Sequence, residues 1–158
     1  MRRKDREVKG IEDILSIVKK AKILHLGLFD GVYPYIVPLH YGYEFIDGNL
    51  VFFMHSAKEG HKLDLIKENS HVCIELECDV EPVSGGEIPC RYGAAFASVI
   101  GRGKAEIVSD ASEKIRGLNL LMENQTGRHF EIDDKMVSGV EVIRVVIPAY
   151  TAKARPKP

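Results

Sequence analysis

The sequence predicts a mostly β fold: a small closed or split antiparallel barrel of six to seven strands, with helices packed outside. Three observations carry this. Asp30-Gly31 and Asp47-Gly48 separate apolar, strand-like runs in the manner of hairpin turns. A long apolar run over 92–108 contains Gly101 and Gly103, as a strand does at a bulge or a barrel corner. Strands and helices do not alternate in a βαβ rhythm, which argues against a doubly wound parallel sheet.

The elements follow in order. Ile11, Ile14, Leu15 and Val18 share one helical face, so 11–18 reads as a short amphipathic helix ending near Lys19-Lys20, where cations suit its C-terminus. The runs 23–29, 33–43 and 49–55, joined by the two Asp-Gly turns, predict a three-stranded meander. Pro38 inside the second run marks an edge, a bulge or a place where the backbone serves a ligand. A helix over 59–67 carries Leu63 and Ile66 on one face. The segment 72–76 is a fourth strand, and Pro82, Gly85, Gly86 and Pro89 make 79–91 a loop. Asp110-Ala-Ser-Glu113 resembles a capping box that opens a helix. The last strand spans 140–147 and ends at Pro148, and the basic, proline-rich tail beyond Lys153 is expected to be mobile at its end.

Composition bounds the function. A chain of 158 residues with 45% apolar and 28% charged residues is expected to form one globular domain over 1–158. A formal net charge of −1 provides no general attraction to nucleic acid or anionic membrane, and neither is expected as a partner. Cys73, Cys78 and Cys90 are too few, and wrongly spaced, for a disulfide framework or a zinc knuckle. The charged start lacks the apolar stretch of a secretory leader, and no apolar run approaches the ~18 residues of a membrane span. A cytoplasmic location is therefore expected.

The stretch Leu50–Ile66 concentrates the chemistry. An apolar run stops at His55-Ser56-Ala57-Lys58-Glu59-Gly60-His61-Lys62, and this polar cluster opens a helix. Free backbone N–H groups and the positive end of the helix dipole make such a junction an anion site, and a phosphate at the edge of a β structure commonly belongs to a cofactor or nucleotide. Gly101-Arg102-Gly103 lacks the third glycine and the following helix of a dinucleotide fingerprint, and no Walker-type loop is present. The six histidines fall in no metal-ligating pattern, so no metal is expected. His61 stands out from them because it lies inside the anion junction.

Six motifs follow one another in order: Arg2-Arg-Lys-Asp-Arg-Glu7, Tyr35-Ile-Val-Pro-Leu39, His55-Ser-Ala-x-x-Gly60-x-Lys62-x-Asp64, Val72-Cys-Ile-Glu75, Ser98-Val-Ile-Gly101-x-Gly-Lys-Ala105 and Thr151-x-Lys153. Together they resemble the 5-nitroimidazole resistance proteins of the pyridoxamine 5′-phosphate oxidase-like, FMN-binding split-barrel superfamily. The match runs from residue 2 to about residue 153.

The resemblance implies a split barrel of the FMN-binding type and a homodimer with FMN at the subunit interface. It also implies flavin-mediated reduction of a small organic acceptor. Val37, Pro38 and Leu39 would run along the flavin ring, with His40 nearby. His55, Ser56, Gly60 and Lys62 would hold the phosphate and ribityl chain, with Lys62 as a compact positive charge. Glu75 and Ser98 would lie near the ring or its wall. Thr151, Lys153 and Arg155 would form a tail closing over the cofactor, from either subunit. Where the family often has a second basic residue beside the lysine, this chain has His61, which could touch an acceptor or donate a proton. A flavin-binding, storage or redox-sensing protein without turnover and a haem-handling split barrel remain open as alternatives.

Overall fold

The computed structural model describes residues 3–157; Met1, the Arg2 that opens the first motif, and Pro158 lie outside them. Eight strands form one antiparallel sheet. They are β1 (Glu7–Val8), β2 (Ile23–Phe29), β3 (Pro34–His40), β4 (Gly42–Ile46), β5 (Asn49–Ser56), β6 (His71–Val83), β7 (Gly93–Ile107) and β8 (Glu141–Arg155). The order across the sheet is β3-β2-β6-β7-β8-β5-β4, with β1 also paired to β8. Four α-helices accompany it: α1 (Ile11–Lys20), α2 (His61–Glu68), α3 (Ala111–Thr126) and α4 (Asp134–Ser138). None of the described helices is long and apolar enough to cross a membrane.

The expected meander is broken at one residue. The run 33–43 pairs with β2 only as far as His40, and from Gly42 it pairs with β5 instead. β3 and β4 are thus opposite edges of the sheet, separated in sequence by Tyr41 alone. The sheet must curl until its edges meet at Tyr41, and this makes the barrel a split one. Tyr41 is fully buried. Its hydroxyl lies 2.6 Å from the Val18 carbonyl oxygen and 2.7 Å from that of Ala21, at the end of α1. Its own carbonyl accepts from the side chains of Asn124 and Gln125 on α3, both at 3.0 Å.

Replacing Tyr41 with Phe should therefore destabilise the fold by about 1–2 kcal/mol, because two buried carbonyls lose their donor. Burial also holds the Tyr41 phenol above its ordinary range. The folded state then favours the protonated form. That stability is full below the unfolded value of about 10 and is lost as pH rises beyond it. Urea melts on the alkaline side should show the loss, and Tyr41→Phe should remove part of the slope.

Two further expectations are corrected. The last strand does not stop at Pro148 but continues to Arg155. Between Arg102↔Ala149 and Lys104↔Val146 the register shifts, so that Gly103 alone faces Ile147 and Pro148. A bulge in which two residues oppose one accommodates a proline that has no N–H for the ladder. A Cβ on Gly103 would lie inside the Val146 carbonyl, so the close approach requires glycine there. β6 likewise runs on to Val83, past a register shift between Cys78 and Glu81, and takes up the first part of the expected 79–91 loop. The cap opens α3 as read, but only half of the box forms: the Asp110 carboxylate accepts from the Glu113 N–H at 2.8 Å, while the Glu113 carboxylate accepts from Arg144 at 3.1 Å.

The main core fills the barrel. Leu24 and Leu26 of β2, Leu50, Phe52 and Met54 of β5, and Ile74 and Leu76 of β6 point inward, and α1 and α2 add Ile14, Ile17, Val18, Leu63, Leu65 and Ile66. A second cluster lies outside β5, where Val51 and Phe53 meet α3. Arg116 of α3 bonds Glu44 of β4 at 2.6 Å and lies over the Phe53 ring at 4.9 Å.

Candidate functional site

β3 is an edge strand, and its two prolines show how its backbone is turned. Pro34 and Pro38 have the same parity, and a proline avoids disrupting a ladder only when its nitrogen faces the open side. This parity directs the peptide groups of Val37 and Leu39 to their partners Leu26 and Leu24 on β2. The open edge is left with the Ile36 N–H and the Pro38 carbonyl. The Val37 and Leu39 side chains pack on the barrel core. Of the three residues expected along the flavin, Pro38 and not its neighbours thus offers a free main-chain group. His40, at the far end of β3, is engaged with the Lys22 carbonyl at 3.2 Å.

The end of β5 faces this edge across the split. β4 covers β5 only as far as Phe53, so Met54, His55 and Ser56 continue without that neighbour, and β5 is in contact with β3. His55 is exposed and Ser56 is buried. The Ser56 hydroxyl has no hydrogen-bond partner among the described residues. Leaving a buried hydroxyl unpaired costs on the order of 1–3 kcal/mol.

The α2 N-terminus completes the group. Gly60 takes φ 145° and ψ 154°, a conformation open to glycine and strained for other residues. No side chain caps this helix, in contrast to α3 and α4, which are capped by Asp110 and Asp133. The Leu63 N–H bonds back to the Gly60 carbonyl at 2.9 Å, leaving the N–H groups of His61 and Lys62 without a main-chain partner. Lys62 is half-buried. The nearby Asp64 pairs with Lys67 at 3.7 Å, so Lys62 makes no ion pair among the described residues. The His61 ring meets Tyr35 of β3 edge-on, with centroids 5.0 Å apart. The Asp30 carboxyl is held below its ordinary range, first by the N–H groups of Tyr33 and Val32 and more weakly by nearby His61.

The structure therefore brings His55, Ser56, Gly60, His61 and Lys62 beside β3. Glu75, Ser98, Thr151, Lys153 and Arg155 occupy the outer face of β6, β7 and β8. Ser98 pairs with Lys153, Ile100 with Thr151, and Phe96 with Arg155. The expected closing tail is thus strand, held between β7 and β1. In the hydrogen-bonded order β8 is four strands from β3.

One residue escaped the sequence reading. His25 lies between Pro38 and Glu75 in the register, and its Nδ1 is 3.0 Å from Glu75 Oε2. Alternation along 23–29 places His25 on the solvent side, but the pairing of β2 with β6 is not visible in the sequence.

Comparison with known proteins agrees with the fold. The sequence profile of the pyridoxamine 5′-phosphate oxidase family matches residues 11–154. No curated protein matches the chain in sequence. Among solved structures, a candidate 5-nitroimidazole antibiotic resistance protein from Bacteroides thetaiotaomicron is 30% identical. It superposes with a TM-score of 0.78 over 93% of this chain and 85% of its own. A candidate pyridoxamine 5′-phosphate oxidase from Listeria innocua is 25% identical, with a TM-score of 0.57 over 88% of this chain and 94% of its own. The flavocytochrome Anf3 from Azotobacter vinelandii shares the fold at 18% identity, with a TM-score of 0.79 over all of this chain and 73% of its own.

Proposed function

Because the chain belongs to the pyridoxamine 5′-phosphate oxidase family, we propose that it binds FMN in the split between β3 and the β5–α2 junction and serves in the reduction of a small organic acceptor. The observation that carries this reading is Ser56, a buried hydroxyl with no partner beside an uncapped helix N-terminus. A phosphate there would satisfy Ser56 Oγ and the free N–H groups of His61 and Lys62, and the Lys62 ammonium would balance its charge.

The protein's part is binding and orientation. β3 offers the Ile36 N–H and the Pro38 carbonyl to the polar rim of the ring. Tyr35 and His61 form a wall at the phosphate end. When bound, FMN supplies the electron transfer. The outer face leaves Phe29, Ile36 and Ile100 well exposed, and in this proposal a second copy covers it and brings Thr151, Lys153 and Arg155 toward the first copy's cleft. A monomer in sedimentation of the flavin-loaded protein would remove that part.

Ser56→Ala tests the site. The hydroxyl has no partner to lose, so the flavin-free variant should melt at or slightly above the wild-type temperature. FMN affinity should fall about three- to tenfold, as for the loss of one hydrogen bond. Unchanged FMN affinity would place the phosphate elsewhere.

A further inference from the structure

The last turns of α1 and α3 are both tied to the Tyr41 crossing by hydrogen bonds, α1 through the Val18 and Ala21 carbonyls and α3 through the Asn124 and Gln125 side chains. Between them lies a cleft of about 500 Å³. Its charged lining is Lys19 and Lys22 from the end of α1 and Glu123 from the last turn of α3, and Tyr43 of β4 and Leu120 supply apolar surface. None of these residues belongs to the split beside β3 or to the outer face of β6, β7 and β8. Lys20, next in sequence, turns away to Asp79 at 2.5 Å. Lys19, Lys22 and Glu123 share the cleft yet form no ion pair among the described residues. Lys22 uses one of its three donors on the Asn124 carbonyl, at 2.5 Å, which fixes its ammonium in place. Burial, and after it the Glu123 carboxylate, hold the Tyr43 phenol above its ordinary range, so the hydroxyl stays a donor.

We propose that this cleft binds an acidic amino acid or another small amine carrying two carboxylates. The charges complement one another: two ammoniums and a carboxylate on the protein, two carboxylates and an ammonium on the ligand. The ligand carboxylates pair with Lys19 and Lys22, and the Tyr43 hydroxyl donates to one of them. Because Lys22 is already held by Asn124, it offers its remaining donors with little loss of freedom. The ligand ammonium sits by Glu123 at the C-terminal end of α3, where the helix dipole is negative. Its methylene chain lies on Leu120 and Tyr43. Selectivity follows from the same three charges, since a plain dicarboxylate is repelled by Glu123 and a plain amine by the lysines. The site stands independently of the flavin reading.

The test is a titration of the isotope-labelled full chain, as purified, with L-glutamate at low salt, followed by amide NMR, which gives both the affinity and the place of binding. The shifts should saturate, centre on 19–22, Tyr43 and 123–127, and diminish as salt rises. Glutarate, which lacks the amine, and 4-aminobutyrate, which lacks one carboxylate, should each bind about threefold or more weakly than L-glutamate. Lys19→Gln should weaken L-glutamate about three- to fivefold, as for one exposed ion pair. Glu123→Gln should weaken it by a similar factor and remove the preference over glutarate. Both positions are exposed, so both variants should melt as the wild type does, which calorimetry of the same samples checks. Absence of saturable shifts, shifts centred on any other part of the chain, or glutarate binding as tightly as L-glutamate would overturn the proposal. So would wild-type affinity for L-glutamate in Lys19→Gln.

Discussion

Lys62→Ala should lower FMN affinity by about ten- to a hundredfold while the fold stays intact. A charge-assisted hydrogen bond to a phosphate contributes about 1.5–3 kcal/mol, and each 1.4 kcal/mol is a factor of ten in affinity. Lys62 fits that role because it is half-buried at the second residue of α2 and makes no competing ion pair among the described residues. The effect should shrink as salt rises, since part of it is screened electrostatics. His61→Ala serves as the comparison. Its ring packs edge-on against Tyr35, so its loss should cost less flavin affinity than that of Lys62. Fluorescence titration of the flavin-free variants with FMN measures both. Wild-type affinity in Lys62→Ala would contradict the phosphate assignment.

The largest expected effect on stability is at Gly42. A Cβ there would fall 2.2 Å from the main chain at Leu120 and Leu121, because α3 is seated directly on β4. The contact is with backbone, so no rotamer change relieves it. α3 must shift outward, disturbing the Arg116–Glu44 pair and the bonds from Asn124 and Gln125 to the Tyr41 carbonyl. Gly42→Val should cost about 3 kcal/mol or more, which lowers the melting temperature by roughly 6–12 °C for a domain of this size. Differential scanning calorimetry reads it directly. Because the Tyr41 seam joins the two edges of the sheet, the damage should extend to the flavin cleft and weaken FMN binding as well.

The sequence is legible where its signals are local. The two Asp-Gly turns, the α1 stripe, the Asp110 cap and the glycine bulge in β7 all depend on a few neighbouring residues, and the structure has each of them. The strand-to-helix junction is legible for the same reason, since the end of a strand, the glycine and the start of a helix occupy eight consecutive residues. What escaped is non-local. Nothing near Tyr41 shows that a single run of residues serves both edges of the sheet. Pro148 reads as a stop, because the bulge that accommodates it depends on Gly103, more than forty residues earlier. His25 and Glu75 meet only through the pairing of β2 with β6. The Thr151–Arg155 segment reads as a free tail for want of any local sign of its partners on β7 and β1.

The central claim is that the split beside β3 holds FMN. The most direct test is the visible spectrum of the protein purified under native conditions and supplied with flavin, followed by release and mass identification of whatever is bound. The account predicts an oxidised-flavin spectrum and the mass of FMN, about one per chain at saturation. A protein that stays colourless after FMN is added, or that releases only haem, would contradict it.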